Sequence, residues 1–527
     1  MTVPPVCATR VSMRHTVLLA WVMLVLAPFG GHAQAPDAHA PDPRPAGERS
    51  PPSPASERSS PPAEAARPPA DANRLPADAT THQTIDLPGR TLRFTATAGA
   101  IRLADEHGAP QADVAFIAFQ QEDADHHTRP VTFVFNGGPG MASGWLNVGA
   151  VGPWRVKLVS QPSASPDPQP NAETWLDFTD LVFIDPPGTG YSRVLATGDE
   201  ARRRIWSVDG DIALLAETVR RWVDRNDRSL SPKFILGESY GGFRGPRLVR
   251  RLASEEGVGV SGLVLLSPLL DAHEESGFAD PFGWADRLPA VAAAARATHG
   301  PVSRADLADV EQYAATDYLA DFLRGVRDPA AVERMSTRVA ALTGLDPALV
   351  RRYQGRLDND VVLHELAGAE HRVGSVYDAT IQSADPFPHR PVSQYPDPVV
   401  EGFKPAVTSA MVALYHRFGW RPEGVYHLEN DAIFGHWDWG RGMGRPQSLT
   451  ALQAALALDP RLKVLVAHGL FDLRTPYFTT ARLLAQMPDF GGTDRLRLAV
   501  YPGGHMFYSE DASRAAFRDD ARGLYGG

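Results

Sequence analysis

The sequence of 527 residues contains one cysteine, Cys7. It has no partner for an intrachain disulfide and belongs to no thiolate cluster that would hold zinc or an iron–sulfur centre. A basic surplus is also missing: 52 Lys plus Arg stand against 62 Asp plus Glu, a formal net charge of -10. Nucleic acid, whose affinity rests on neutralising phosphates, is therefore not an expected partner. There is no His-Glu-x-x-His, no paired-Asp loop, and no Gly-rich loop leading into Lys-Ser or Lys-Thr, so neither a metal nor a cofactor is expected. His126-His127, in a polar loop, reads as solvated rather than ligating.

Long apolar runs are scarce too. The run from Val17 to Leu26 is too short to span a bilayer, so no stable membrane insertion is expected. Arg10 and Arg14 precede it and small residues follow, the order of a secretory signal peptide with a cleavage site after Ala33 or Ala35. Residues 1–35 are thus expected to direct export, making the mature protein periplasmic or secreted and free of cysteine. From Pro36 to Pro76 there are 12 prolines and no aromatic residue. Such a stretch cannot bury enough apolar surface to offset its ordering entropy, and residues 36–80 are read as an extended tether.

Beyond the tether, Thr91 to Thr95 and Val114 to Gln120 carry the β-branched and aromatic residues of edge hairpins. The pattern then changes. Val131–Phe135, Leu181–Ile184, Phe234–Leu236, Leu263–Leu266, Val464–Val466 and Leu496–Val500 are short apolar runs, as strands buried on both faces of a parallel sheet would be. Helix-like segments such as Val208–Arg225 and Phe243–Ala253 lie between them, so the fold class expected is α/β, a doubly wound sheet. Alternation stops over residues 276–445, an Ala-rich helical stretch, and resumes afterwards. That break predicts a helical cap inserted into one core made of residues 81–275 and 446–527. Caps in such sheets sit over the carboxyl ends of the strands, where ligands bind.

Gly237-Glu238-Ser239-Tyr240-Gly241 follows one of these strands and precedes a helix-like stretch, the context of a nucleophile elbow that pushes a serine hydroxyl out of the sheet. Serine needs a histidine to take its proton and a carboxylate to orient that histidine. Asp472 and His505 each come just after a later strand, and the chain order Ser, Asp, His is that of the α/β-hydrolase fold. Asn136-Gly137-Gly138-Pro139-Gly140 follows another strand, and its glycines would let backbone N–H groups face an oxyanion without side-chain obstruction. Trp420, Trp437 and Trp439, near the end of the cap, read as core packing or cap docking before groove lining.

These residues, with Trp175 and Phe183-Ile184-Asp185-Pro186-Pro187-Gly188-Thr189-Gly190-Tyr191-Ser192, resemble the secreted bacterial serine carboxypeptidases of the α/β-hydrolase superfamily. The resemblance covers Thr132 to Leu270 and Ala451 to Tyr508. It implies a peptide substrate, a triad of Ser239, Asp472 and His505, and an oxyanion hole from the N–H groups of Gly138 and Tyr240. It also implies that Asn136, the Gly137 N–H and a protonated Glu238 hold the substrate's terminal carboxylate, which would favour acidic pH. Two departures stand out. Met141 replaces the family's cysteine, and Ala150 stands where the family has a second glutamate. Arg244, beyond the elbow, is either a compensating positive charge or a surface ion-pair partner. The alternatives are an esterase or acyltransferase with the same triad and, in another class, a catalytically silent binding protein.

Overall fold

The computed structural model describes residues 74–526, apart from 159–162, 164–165, 273–278, 368–370, 390–394 and 441–445. The expected signal peptide and nearly all of the expected tether lie outside the described residues. The folded part starts ahead of residue 81: Leu75 packs on the core, and the Asp78 carboxylate accepts from Ala100 N at 3.2 Å and meets Arg225 at 2.7 Å. A proline-rich composition does not reveal these few anchoring contacts.

Strands β1 (Ala79–Leu87), β2 (Arg90–Ala104) and β3 (Pro110–Gln121) form an antiparallel meander, longer than the two short hairpin runs expected. It adjoins six parallel strands: β4 (Val131–Phe135), β5 (Asp180–Ile184), β6 (Lys233–Glu238), β7 (Gly262–Leu266), β8 (Lys463–Gly469) and β9 (Leu496–Tyr501). The order is β1-β2-β3-β5-β4-β6-β7-β8-β9, with Arg193–Val194 pairing beside β3. Register is fixed by alternation, since a slip of one residue would exchange the two faces. Phe133 and Phe135 point into one apolar layer, while Val134 points into the other.

Helices α1 (Val208–Arg225), α2 (Tyr240–Ser254) and, after the insertion, α4 (Leu449–Leu458) cover the first layer; α3 (Val400–Arg417) and α5 (Asp511–Tyr525) cover the second. Helix α1 starts where Ser207 accepts a hydrogen bond from Gly210 N, satisfying one of the orphan donors of its first turn. Between β7 and β8 the chain builds the helical cap. Its segments Leu288–Ala297 and Pro329–Thr343 bury Val291, Met335 and Val339 in a third core. Asp328 caps the second of these helices and Pro329 occupies its first position, where a missing N–H costs nothing. That third core also takes in Leu470, Phe471 and Leu473, so the cap is rooted on the loop that follows β8.

Candidate active site

The site lies at the carboxyl ends of β4, β6, β8 and β9. Ser239 sits between β6 and α2 with φ 58 and ψ −119, a left-handed conformation that a side chain rarely adopts. The surroundings over-determine it: Ser239 N donates to Leu266 O at 2.9 Å, and Ser239 O accepts from Gly242 N at 2.9 Å and Leu269 N at 3.1 Å. The loop after β4 comes so close that a Cβ on Gly137 would lie 2.6 Å from Glu238 O and 2.7 Å from Tyr240 N. Gly138 has φ +100, a second reason for glycine in this loop. The chain returning from the cap secures the loop, with Ala142 N donating to Leu428 O and Asn430 N to Gly140 O, both at 2.9 Å.

Asp472, fully buried, accepts from Arg474 N at 2.8 Å and Thr475 N at 2.9 Å on Oδ1, and from Thr475 Oγ1 at 2.8 Å on Oδ2. The same Oδ2 is 2.8 Å from Nδ1 of His505. Thr475 Oγ1 lies 3.1 Å from that nitrogen, completing a buried triangle. Burial pulls the His505 imidazole down, but the hydrogen bond and charge of Asp472 outweigh it, and its pKa lies above the ordinary value. His468 is the control within the fold. It is equally buried but hydrogen-bonds Thr480 Oγ1 rather than a carboxylate, and burial pushes it down to about 4.

Ser239, His505, Asn136, Gly138 and Glu238 line one cleft of about 300 Å³, with Trp145 and the cap residues Tyr377, Val400 and Phe434. Asp472 lies behind His505, and Gly137 and Tyr240 flank the serine. Glu238, 2 % exposed, is pushed up to about 7, chiefly by burial. Its Oε1 accepts from Tyr508 OH at 2.9 Å and its Oε2 from Asn136 Nδ2. Asn136 therefore spends one of its two amide donors on Glu238.

Arg244 fits neither role anticipated for it. It is 1 % exposed and clasps Asp211 through Nε at 2.7 Å and Nη2 at 3.1 Å, while Nη1 donates to Asn136 O at 2.6 Å. It is a buried brace for the loop after β4. Ala150 is packed among apolar side chains of the second layer. Trp437 and Trp439 meet the Tyr240 ring edge-on at 5.2 and 5.6 Å, and Trp420 is buried with its Nε1 donating to Pro76 O. Tyr508, Thr475 and Tyr377 escaped the sequence reading. The short spacings Asp472 to Thr475 and His505 to Tyr508 were its only local signals. Among the described residues, no group of three or more His, Cys, Asp or Glu is placed to hold a metal ion, and no helix is long and apolar enough to cross a membrane.

The sequence model of the serine carboxypeptidase family matches residues 88–316. That stretch, somewhat under half of the chain, is similar to the family. The match includes the loop after β4 and the Ser239 elbow; Asp472 and His505 lie beyond it. The chain is 27% identical over 154 residues to the pheromone-processing carboxypeptidase kex1 of Schizosaccharomyces pombe, covering 29% of this chain and 28% of that protein. It is 29% identical over 179 residues to the protein of the same name from Komagataella phaffii, covering 32% and 26%. These serine carboxypeptidase relatives are thus matched over about a third of their length or less. The fold is shared with a prohormone-processing carboxypeptidase of Saccharomyces cerevisiae, with a TM-score of 0.53, 14% identity, and coverage of 81% of this chain and 90% of that one.

Proposed function

We infer that the protein is a serine-type carboxypeptidase that hydrolyses C-terminal peptide bonds through an acyl-enzyme on Ser239. The observation that carries this reading is the Asp472–His505 hydrogen bond facing the cleft that holds the strained Ser239. With Nδ1 engaged by Asp472, the Nε2 of His505 is the nitrogen left to take the Ser239 proton as Oγ bonds to the scissile carbonyl carbon. The N–H groups of Gly138 and Tyr240 receive the developing oxyanion; the latter opens α2, where first-turn donors have no intrahelical acceptor. Collapse breaks the C–N bond, and His505 hands its proton to the departing amino group. Water, deprotonated by His505, then releases the acyl group and restores Ser239.

A protonated Glu238, with Asn136 and the Gly137 N–H, binds the terminal carboxylate of the substrate, so free C-termini are held best on the acid side of pH 7. Export directed by residues 1–35, a tether after them and delivery to the periplasm or medium belong to the same proposal. One observation favours an esterase or acyltransferase as the second reading: Ala150, in place of the family glutamate, brings no carboxyl to the cleft.

The test is labelling with a fluorophosphonate. Native protein is expected to react and Ser239→Ala to be silent while keeping its melting temperature; His505→Ala should lose about as much as Ser239→Ala, because triad members act as a unit. Undiminished labelling of Ser239→Ala overturns the reading.

A further inference from the structure

Of the cap's several contacts with the core, one short segment, Val376–Ala379, lies across both loops that carry the proposed acid–base pair. Leu473 N donates to Val376 O at 3.0 Å and Ala379 N to Phe471 O at 3.1 Å, bracketing Asp472. His505 N donates to Tyr377 O at 2.5 Å, and the Tyr377 ring stands edge-on to the imidazole at 5.3 Å. Three backbones are in contact here: a Cβ on Gly504 would lie 2.1 Å from Tyr377 O and 2.5 Å from Asp378 Cβ, and one on Gly469 would lie 1.7 Å from Gly504 O.

Asp378, 5 % exposed, sits at the centre of this contact. Its Oδ1 accepts from Thr380 N at 3.0 Å and Thr380 Oγ1 at 2.6 Å, and Gly504 packs so closely that a Cβ there would lie 2.5 Å from Asp378 Cβ. The other end of the segment is fixed by Asp397, which accepts from Ser375 Oγ at 2.7 Å and Val376 N at 3.1 Å. Burying a carboxylate costs free energy, which the two Thr380 donors offset by holding it in one geometry.

We propose that Val376–Ala379 is a positioning clamp that seats His505 against Asp472, and that Asp378 is its decisive side chain. The cap is then part of the catalytic framework, because the ring reaches its partner only while the cap holds the backbone on either side of it. This inference rests on His505 being the general base.

Two readouts test it: the rate of fluorophosphonate labelling with pH, and the titration midpoint of the His505 ring followed by NMR of 15N-histidine protein. The His505 signal is identified by its loss in His505→Gln. Misplacing a catalytic group by about 1 Å costs on the order of 100-fold. Asp378→Ala is expected to lower the maximal labelling rate about 10- to 100-fold and to move the His505 midpoint down, because the contact with Asp472 that raises it is loosened. KM for a peptide amide should stay within about twofold, since no residue lining the cleft is changed. Asp378→Asn, which keeps an acceptor for Thr380, should recover most of the rate. Thr380→Val removes the hydroxyl donor alone and supplies an intermediate variant if Asp378→Ala does not fold. A native rate and midpoint in Asp378→Ala, or in Thr380→Val where the alanine variant is not obtained, overturns the clamp. So does a lost rate with an unmoved midpoint. If the native serine fails to label, the hydrolase reading falls while the His505 midpoint still decides the clamp.

Discussion

Replacing Glu238 by Gln should change the pH dependence of the enzyme in a way that only its proposed contact with a substrate carboxylate explains. The carboxyl stands at about 7 because burial penalises its charge more than Tyr508, Asn136 and His505 favour it. Its protonated fraction then falls from about nine-tenths at pH 6 to about one-tenth at pH 8. The terminal carboxylate of a peptide titrates near 3.5 and stays charged throughout that window. The ratio of kcat/KM for a blocked dipeptide to that for its C-terminal amide should therefore drop by roughly tenfold from pH 6 to pH 8, about 1.4 kcal/mol of transition-state stabilisation. His505 enters both terms and cancels in the ratio, which matters because Glu238 and His505 interact and titrate as a pair. For the amide alone, activity should rise with pH as His505 loses its proton. For the free acid it should pass through a maximum. In Glu238→Gln the ratio should be flat. Stability gives the same variant a second signature. A carboxyl raised on folding contributes stability that is whole below its unfolded value and is lost as pH climbs through about 7, so the melting temperature of Glu238→Gln should gain on the native protein between pH 5 and pH 8. A ratio independent of pH in the native protein, or the same slope in the variant, refutes the carboxylate contact and moves the assignment toward an esterase.

Arg244→Ala should cost about 3–5 kcal/mol in denaturant unfolding, because it leaves the buried Asp211 unpaired, and Arg244→Met with Asp211→Leu should recover much of that. Removal of residues 36–73 should leave melting temperature and activity nearly unchanged, as a Pro-rich polar stretch has little to pack. Starting the chain at Ala79 should instead cost about 2 kcal/mol through the lost Asp78 and Pro76 hydrogen bonds, read as a lower melting temperature.

What the sequence made legible and what it hid divide along a physical line. The parallel strands announced themselves because burial on both faces admits little but apolar side chains, and each run was short enough to exclude a helix. Ser239, Asp472 and His505, the triad proposed here, stood out in the sequence because strand ends are punctuated by glycine, aspartate and proline, and the structure places Asp472 against His505. Arg244 was misread because sequence records a charge and not its partner: Asp211 lies 33 residues away, on the preceding helix. The same holds for Tyr508, which reaches Glu238 across 270 positions, and for Tyr377, brought over the His505 ring by a cap whose own sequence carries only helical composition. The hidden part is therefore the set of contacts that tune the reactive groups. In an enzyme of this fold the tuning is assembled from several loops at once: Asp472 raises His505, burial raises Glu238, and each shift depends on residues distant in sequence. The helical insertion between β7 and β8 hydrogen-bonds the loops after β8 and β9, so under the proposed triad and clamp it would alter catalysis without contributing a triad residue. If the clamp acts as proposed, exchanging the cap for another would be expected to change rate as well as specificity.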